Sequence, residues 1–114
     1  MFIAMNRFKV ARGREAEFEE IWRGRKTRLD EMEGFTGFQL LRGPEREDHT
    51  LYASHSTWTN RELFTAWTKS EQFRDSHRNA GGAKGLYLGP PDFEGFEAVI
   101  TEQASSPPRR EDAP

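Results

Sequence analysis

Three side chains in this 114-residue sequence lie on apolar faces at positions where a polar or bulky group could do chemistry. Asn6 lies in the opening run MFIAMNRFKV, Trp67 lies on an apolar stripe, and His77 precedes a glycine-rich stretch. An amide can donate a hydrogen bond, an indole can form a large rigid wall, and a neutral imidazole can bind a metal ion. The three residues could form one binding or catalytic site if the fold brings them together.

His77 follows Phe73 by one helical turn. The commoner role of such a histidine is to stabilise the C-terminus of its helix. A neutral imidazole is also a common axial ligand of haem iron, and the glycine-rich residues 79–91 would give a large planar ligand a way in. The other two histidines are weaker candidates, because His49 is expected in a loop and His55 shares a strand face with small and apolar residues.

Asn6 and Trp67 each have an ordinary structural interpretation beside the chemical one. A buried amide such as Asn6 is often satisfied by neighbouring backbone, but it can also project into a cavity and bind a ligand. Trp67, on a stripe with Leu63 and Phe64, is first of all a core residue. In one straight helix His77 would lie about 15 Å further along the axis and about 80° out of line. Trp67 and His77 can therefore face one pocket only if the helix breaks, and Ser70 is where we expect the break.

Composition excludes several classes of protein. The sequence has no cysteine, which excludes a disulfide framework, a thiolate metal site and a cysteine nucleophile. Seventeen basic and 19 acidic residues give a net charge of −2, unlike a nucleic-acid binder. We find no signal peptide, no apolar run long enough to span a bilayer, and no phosphate-binding or dinucleotide motif. We therefore expect a cytoplasmic protein that binds neither nucleic acid nor membrane.

Hydrophobic periodicity predicts one α+β domain over residues 1–100, followed by a disordered polar tail over residues 101–114. Strands are expected at residues 2–10, 35–42, 50–58 and 93–100. A long helix is expected at residues 14–32, ended by Gly34, and a turn or loop at residues 43–49. A second helix is expected after a capping box formed by Thr59 and Glu62, a further helical segment after Ser70, and a mobile loop at residues 79–91.

The order of these elements is β-α-β-β-α-β, which is the ferredoxin-like arrangement of an antiparallel sheet with two helices on one face. That arrangement leaves the other face of the sheet uncovered. An apolar face of this kind has to pack on something, and the simplest partner is a second copy of the chain. The sequence therefore predicts a homodimer, in the form of a dimeric α+β barrel.

The chain resembles the antibiotic-biosynthesis-monooxygenase superfamily over roughly residues 1–100, and within it the haem-degrading monooxygenases of bacterial iron acquisition. The resemblance rests on the element order and on the segments MFIAMNRF, GFTGFQLLRG and HSTWTNRELFTAWTKSEQFRDSH. The haem-degrading subgroup is marked by an Asn on the first strand, a Trp on the second helix and a His about ten residues later. Asn6, Trp67 and His77 match this pattern in type and spacing.

The resemblance implies a role for each residue. His77 is expected to be the axial ligand of haem iron, Asn6 a hydrogen-bond donor on the opposite side, and Trp67 the wall that distorts the porphyrin. Trp22 and Arg25 fall where the family has an aromatic wall, more often Phe, and in some members a basic residue. The implied activity is oxidative opening of the porphyrin ring with dioxygen and electrons from an external reductase, releasing iron. Two alternatives remain: a cofactor-free quinol or polyphenol monooxygenase of the same superfamily, and a non-enzymatic haem-binding module.

Overall fold

The computed structural model describes residues 1–77 and 84–104. It contains a four-stranded antiparallel sheet of order β2-β3-β1-β4, which confirms the predicted ferredoxin-like arrangement. The strands are β1 (Phe2–Ala11), β2 (Phe35–Glu45), β3 (His49–Trp58) and β4 (Asp92–Glu97). The helices are α1 (Glu15–Gly24), α2 (Arg61–Thr68) and α3 (Glu71–His77), with one 3-10 turn at Leu29–Glu31. None of the described helices is long and apolar enough to cross a membrane.

The helices cover one face of the sheet and pack there into two separate core clusters. The period-two pattern of β1 places its even-numbered residues on this face, as predicted. One cluster, near the start of β1, contains Phe2, Ala4, Leu29, Trp58 and Trp67. The other, near its end, contains Val10, Phe18, Tyr52 and Leu86. The core is therefore interrupted at the middle of β1.

The prediction of one long helix over residues 14–32 is wrong. Helix α1 ends at Gly24, a residue of low helix propensity, and Arg25 is already extended at φ −76° and ψ 137°. Arg28 then adopts a left-handed conformation with φ 57° before the 3-10 turn. The guanidinium groups of Arg25 and Arg28 bond to Ser76 and Asp75 of α3, so tertiary contacts stabilise the break. Gly34, the predicted end of that helix, instead lies at positive φ just before β2.

The second helical region breaks at Ser70, as predicted, although its first cap was misassigned. The side chain of Asn60, not Thr59, accepts the cap hydrogen bond from Leu63 N at 2.9 Å. At the break, Ser70 Oγ accepts a hydrogen bond from Phe73 N at 3.0 Å. The same hydroxyl donates to the Trp67 carbonyl at 2.7 Å, so one serine ends α2 and caps α3.

The strand ends also differ from the predictions. β2 continues to Glu45 through a bulge, and His49 opens β3 rather than lying in a loop. β4 ends at Glu97, three residues before the predicted end. Residues 79–83 of the predicted loop, and residues 105–114 of the predicted tail, lie outside the described residues.

The described part of the predicted loop, residues 84–91, is hydrogen-bonded to β1. Leu86 is fully buried, and its carbonyl accepts a hydrogen bond from Ala11 N at 2.8 Å. The amide of Leu88 donates to the Lys9 carbonyl at 2.9 Å. Residues 86–88 therefore lie beside the end of β1 as an isolated bridge, although they belong to no helix or named strand.

The second face of the sheet carries apolar side chains and is not covered by the described helices. The pairing registers place Ile3 opposite Phe96, and Arg7 opposite Ala53, which in turn faces Leu41. Phe96 and Leu41 are exposed. The homodimer that the sequence predicts would cover this surface, and it remains a prediction.

Candidate functional site

A cavity of about 480 Å³ lies between the two core clusters, over the middle of the sheet. Small side chains on β1 and β3 form its floor, where larger residues would otherwise join the clusters. Aromatic side chains from the helices and from the segment after residue 84 form most of its walls. The cavity is lined by all five residues singled out in the sequence: Asn6, Trp22, Arg25, Trp67 and His77. Its volume and mixed lining are typical of sites that enclose a small organic ligand.

Asn6 lies on the floor, directly opposite Ser54 in the β1–β3 register. Neither side chain makes a hydrogen bond to another residue of the described part of the chain, although the next inward residue of β3, Ser56, does. Ser56 Oγ accepts from Trp58 Nε1 at 3.0 Å. The cavity therefore has a small polar area, formed by Asn6 and Ser54, on a largely apolar surface.

His77 ends α3 and presents one ring nitrogen to the protein. Its Nδ1 lies 2.8 Å from the Phe73 carbonyl, an arrangement in which Nδ1 carries the proton and donates it. Nε2 then keeps the lone pair that a metal ion needs. Partial burial lowers the pKa of His77 below its ordinary value, whereas the hydrogen bond to Phe73 raises it and the charge of Arg25 lowers it further. The imidazole is accordingly neutral at pH 7 and available as a ligand.

The break at Ser70 brings Trp67 and His77 to the same cavity. Trp67 is almost completely buried and packs edge-on against Phe73, with ring centroids 5.3 Å apart. Phe73 in turn packs on the His77 ring at 4.0 Å. These three rings form a continuous aromatic surface from the core to the end of α3, so the orientation of His77 depends on the packing of Trp67.

Trp22 and Arg25 form a second wall. The guanidinium carbon of Arg25 lies 4.1 Å from the Trp22 ring centroid, and Phe38 stacks on Trp22 at 5.7 Å. Arg25 Nε and a terminal nitrogen of the same group both donate to the Ser76 carbonyl. Burial lowers the pKa of Arg25, but an arginine remains cationic at pH 7. No described carboxylate forms a salt bridge with it, so its charge is available to an anionic ligand group.

The indole nitrogen of Trp22 is buried without a hydrogen-bond partner among the described residues. Ring contacts with Phe38 and Arg25 therefore hold this indole in place, rather than a hydrogen bond. The combined features fit a planar iron macrocycle that carries carboxylates: a neutral imidazole with a free lone pair, aromatic walls and an unneutralised guanidinium.

The structure also adds cavity residues that the sequence interpretation missed. Ser54 and Ser56 belong to the inward face of β3, which the alternation of TLYASHSTW indicated, while His55 lies on the opposite face. Phe93 stacks on Phe64 at 5.6 Å, and Tyr87 belongs to the segment that had been predicted as a mobile loop. No local pattern in the sequence indicated that Tyr87 would face the cavity.

The chain is similar to a known protein family and to a curated bacterial protein. The family model described as antibiotic biosynthesis monooxygenase matches residues 1–79. The chain is 29% identical over 82 residues to a haem-degrading monooxygenase from Bacillus mycoides strain KBAB4, covering 72% of this chain and 76% of the relative.

Two solved structures have a similar fold. The haem-degrader MhuD from Mycobacterium tuberculosis, solved with two haems bound in its active site, matches with a TM-score of 0.69 and 25% identity, covering 90% of this chain and 100% of MhuD. SnoaB from Streptomyces nogalater, a cofactor-independent oxygenase, matches with a TM-score of 0.63 and 26% identity, covering 88% of this chain and 94% of SnoaB. The fold is thus similar to that of oxygenases that act on haem and of oxygenases that use no cofactor.

Proposed function

The chain belongs to the antibiotic biosynthesis monooxygenase family, and we propose that this oxidoreductase is a haem-degrading monooxygenase. In this proposal it binds haem as its substrate and opens the porphyrin ring with dioxygen and external electrons, releasing iron. One observation carries the proposal. Asn6, Trp67 and His77 line a single aromatic cavity, and His77 Nδ1 bonds to a backbone carbonyl so that Nε2 is left to bind iron.

Each of these residues would act by binding or orienting the substrate. His77 Nε2 would bind the iron, and the contact between Phe73 and His77 would fix the plane of the imidazole. Trp67, held by its own packing, would press on the macrocycle and favour a distorted ring. Arg25 would pair with a haem carboxylate, because it carries a charge that no described carboxylate neutralises.

Asn6 would contribute on the floor of the cavity. Its amide can donate a hydrogen bond without supplying a proton, unlike an acidic side chain. Bound haem supplies the oxygen chemistry, and the protein supplies orientation, exclusion of water and local electrostatics. A neutral donor at this position would favour attack on the ring carbon over cleavage of the oxygen–oxygen bond.

The proposal extends to the partners of the reaction. The electrons would come from a separate reductase, and we expect the enzyme to act in the cytoplasm, where reduced electron carriers are available. The uncovered apolar face of the sheet supports a homodimer, because Ile3, Phe96 and Leu41 would otherwise remain in contact with water.

A cofactor-free monooxygenase is the second candidate, and the similarity to SnoaB favours it. The same aromatic walls could hold a flat quinol or polyphenol, with Asn6 and Ser54 bonding its hydroxyl groups. In that case His77 would line a substrate pocket and bind no metal.

Addition of hemin, followed by ascorbate, distinguishes these candidates. The haem-degrading enzyme should show a sharp, shifted Soret band that bleaches in air when ascorbate is added, and mass analysis should then find an opened tetrapyrrole. A protein that binds hemin without consuming it is a haem-binding module. Lack of a specific Soret shift would instead support the cofactor-free enzyme, to be assayed by dioxygen uptake with quinols.

A further inference from the structure

We propose that Ser54 is a second ligand-contacting residue of this site, and that its hydroxyl would hydrogen-bond, beside the Asn6 amide, to a small diatomic ligand of the bound haem. The inference deepens the proposed function and rests on it. Ser54 belonged to none of the patterns that first indicated the site, and its assignment comes from strand register and hydrogen bonding.

Ser54 and Asn6 occupy neighbouring positions on the floor of the cavity. Ser54 pairs directly with Asn6 across β1 and β3, and both side chains line the cavity. Directly opposed residues of an antiparallel pair have Cβ atoms about 4.5–5.5 Å apart. Two polar groups at that spacing can contact one small molecule, or two adjacent atoms of a larger one.

The Ser54 hydroxyl differs from most other hydroxyls of the cavity in having no hydrogen-bond partner among the described residues. Four other hydroxyls that line the cavity each make a hydrogen bond within the described part of the chain: Thr27, Ser56, Thr68 and Ser76. Ser54 makes none there, and neither does Tyr87, which lies on a different wall beside Phe8 and Phe18. Ser54 is therefore the hydroxyl on the strand floor that is left to a ligand.

A hydroxyl that loses water without gaining a new partner costs free energy, and a ligand filling this cavity would displace the water from Ser54. A serine hydroxyl is both donor and acceptor and rotates freely to suit its partner. Among apolar walls, a few such groups fix the orientation of what is bound.

The test uses the full-length protein reconstituted with haem and compares Ser54→Ala with Thr57→Ala. The readouts are the carbon–oxygen stretching frequency of the ferrous carbon monoxide complex and the dissociation constant of cyanide for the ferric complex. Ser54→Ala should shift the stretching frequency and weaken cyanide binding about three- to tenfold, the effect of one net hydrogen bond. Ser54→Thr, which keeps the hydroxyl, should restore both.

Thr57→Ala is the matched control, since it removes a hydroxyl from the same strand on the face opposite the cavity, where Thr57 Oγ1 bonds to Thr36 Oγ1. It should leave both ligand readouts unchanged, because Thr57 does not line the cavity. A Ser54→Ala variant with unaltered readouts overturns the inference. So does a Ser54→Ala effect that disappears in an Asn6→Ala background, because Ser54 would then act only by orienting Asn6.

The wild-type protein separates this inference from the proposed function. Failure of the wild type to form a haem complex overturns the haem-degrading function, and the assignment of Ser54 with it. If the wild type forms a normal haem complex and Ser54→Ala changes neither readout, only the assignment of Ser54 is overturned.

Discussion

At the scale of single residues, a substitution on the floor of the cavity should slow the degradation of haem without preventing its binding. Asn6 lines the cavity but is not the residue that would bind iron, so Asn6→Ala should keep haem bound while slowing its degradation. Loss of a single positioned donor typically slows catalysis by about a hundredfold. Single-turnover absorption spectra, recorded after ascorbate is added to the haem complex, measure this rate directly.

Asn60→Ala is the control for the Asn6 variant. Asn60 caps α2 and does not line the cavity, so this change should cost about 1 kcal/mol of stability and leave the turnover of bound haem unchanged. An Asn6→Ala enzyme that degrades haem at the wild-type rate would remove Asn6 from the mechanism.

The lowered pKa of His77 predicts how ligation depends on pH. Burial makes the protonated imidazole less favourable in the folded chain, so His77 stays neutral to a lower pH than an ordinary histidine. As pH falls, the unfolded chain takes up this proton at a higher pH than the folded chain does. The contribution of the neutral imidazole to the free energy of unfolding is therefore complete above about pH 6.5, and it is lost as pH falls through the lower pKa of the folded chain. In a spectroscopic pH titration, loss of axial ligation should have its midpoint below about 6.5.

His55→Ala, on the uncovered face of the sheet, should leave that midpoint unchanged. A midpoint clearly above 6.5 in the wild type would show that another group controls ligation.

Residue types and spacing predicted several residues of the site but not every residue that lines the cavity. Asn6 and His77 stood out as polar residues on apolar faces, and Trp67 stood out through the family pattern. All three line the cavity. Ser54 conflicts with nothing: a serine on a half-buried strand is unremarkable until the register shows which residue it faces. Hydrogen-bond satisfaction, which identifies Ser54, is a property of the folded chain and cannot be obtained from composition or spacing.

At the scale of secondary-structure elements, the break at Ser70 determines the site. Ser70→Ala should remove the cap of α3 and cost about 1 kcal/mol of stability. Because His77 lies at the other end of this short helix, the variant should also bind haem more weakly and ligate it less uniformly. Thermal unfolding and a hemin titration measure the two effects.

Ser70→Thr provides the comparison, because threonine also caps helices and keeps the hydroxyl that donates to the Trp67 carbonyl. It should recover both stability and ligation. If Ser70→Ala were destabilised yet ligated haem as the wild type does, α3 would be held in place by its other contacts alone.

The contacts that α3 makes with the residues after α1 explain why the first helix is shorter than predicted. The apolar spacing from Phe18 to Met32 is compatible with one helix. Arg25 and Arg28 instead leave the helix and bond to Ser76 and Asp75, some 50 residues further along the chain. Local periodicity contains no information about such partners, whereas the break at Ser70 is signalled locally by a residue that caps helices well.

At the scale of the whole molecule, the uncovered sheet face predicts a homodimer. Phe96 is exposed there opposite Ile3, so Phe96→Lys would place a charge in the dimer interface. The variant should sediment as a monomer, or as a much weaker dimer, at concentrations where the wild type is dimeric. Analytical ultracentrifugation gives the mass without reference to haem.

Thr65→Lys on α2 adds the same charge to an exposed position of a helix that packs on the other face. It should leave the mass of the wild-type assembly unchanged. A wild-type protein that is monomeric at high concentration would refute the proposed assembly.

The central claim is that His77 binds the iron of haem, and resonance Raman spectroscopy of the ferrous complex tests it most directly. The wild type should show an iron–histidine stretching band, His77→Ala should lose it, and added imidazole should restore an iron–imidazole band in the variant. The same iron–histidine band in His77→Ala without imidazole would contradict the claim, because the axial ligand would then be another residue.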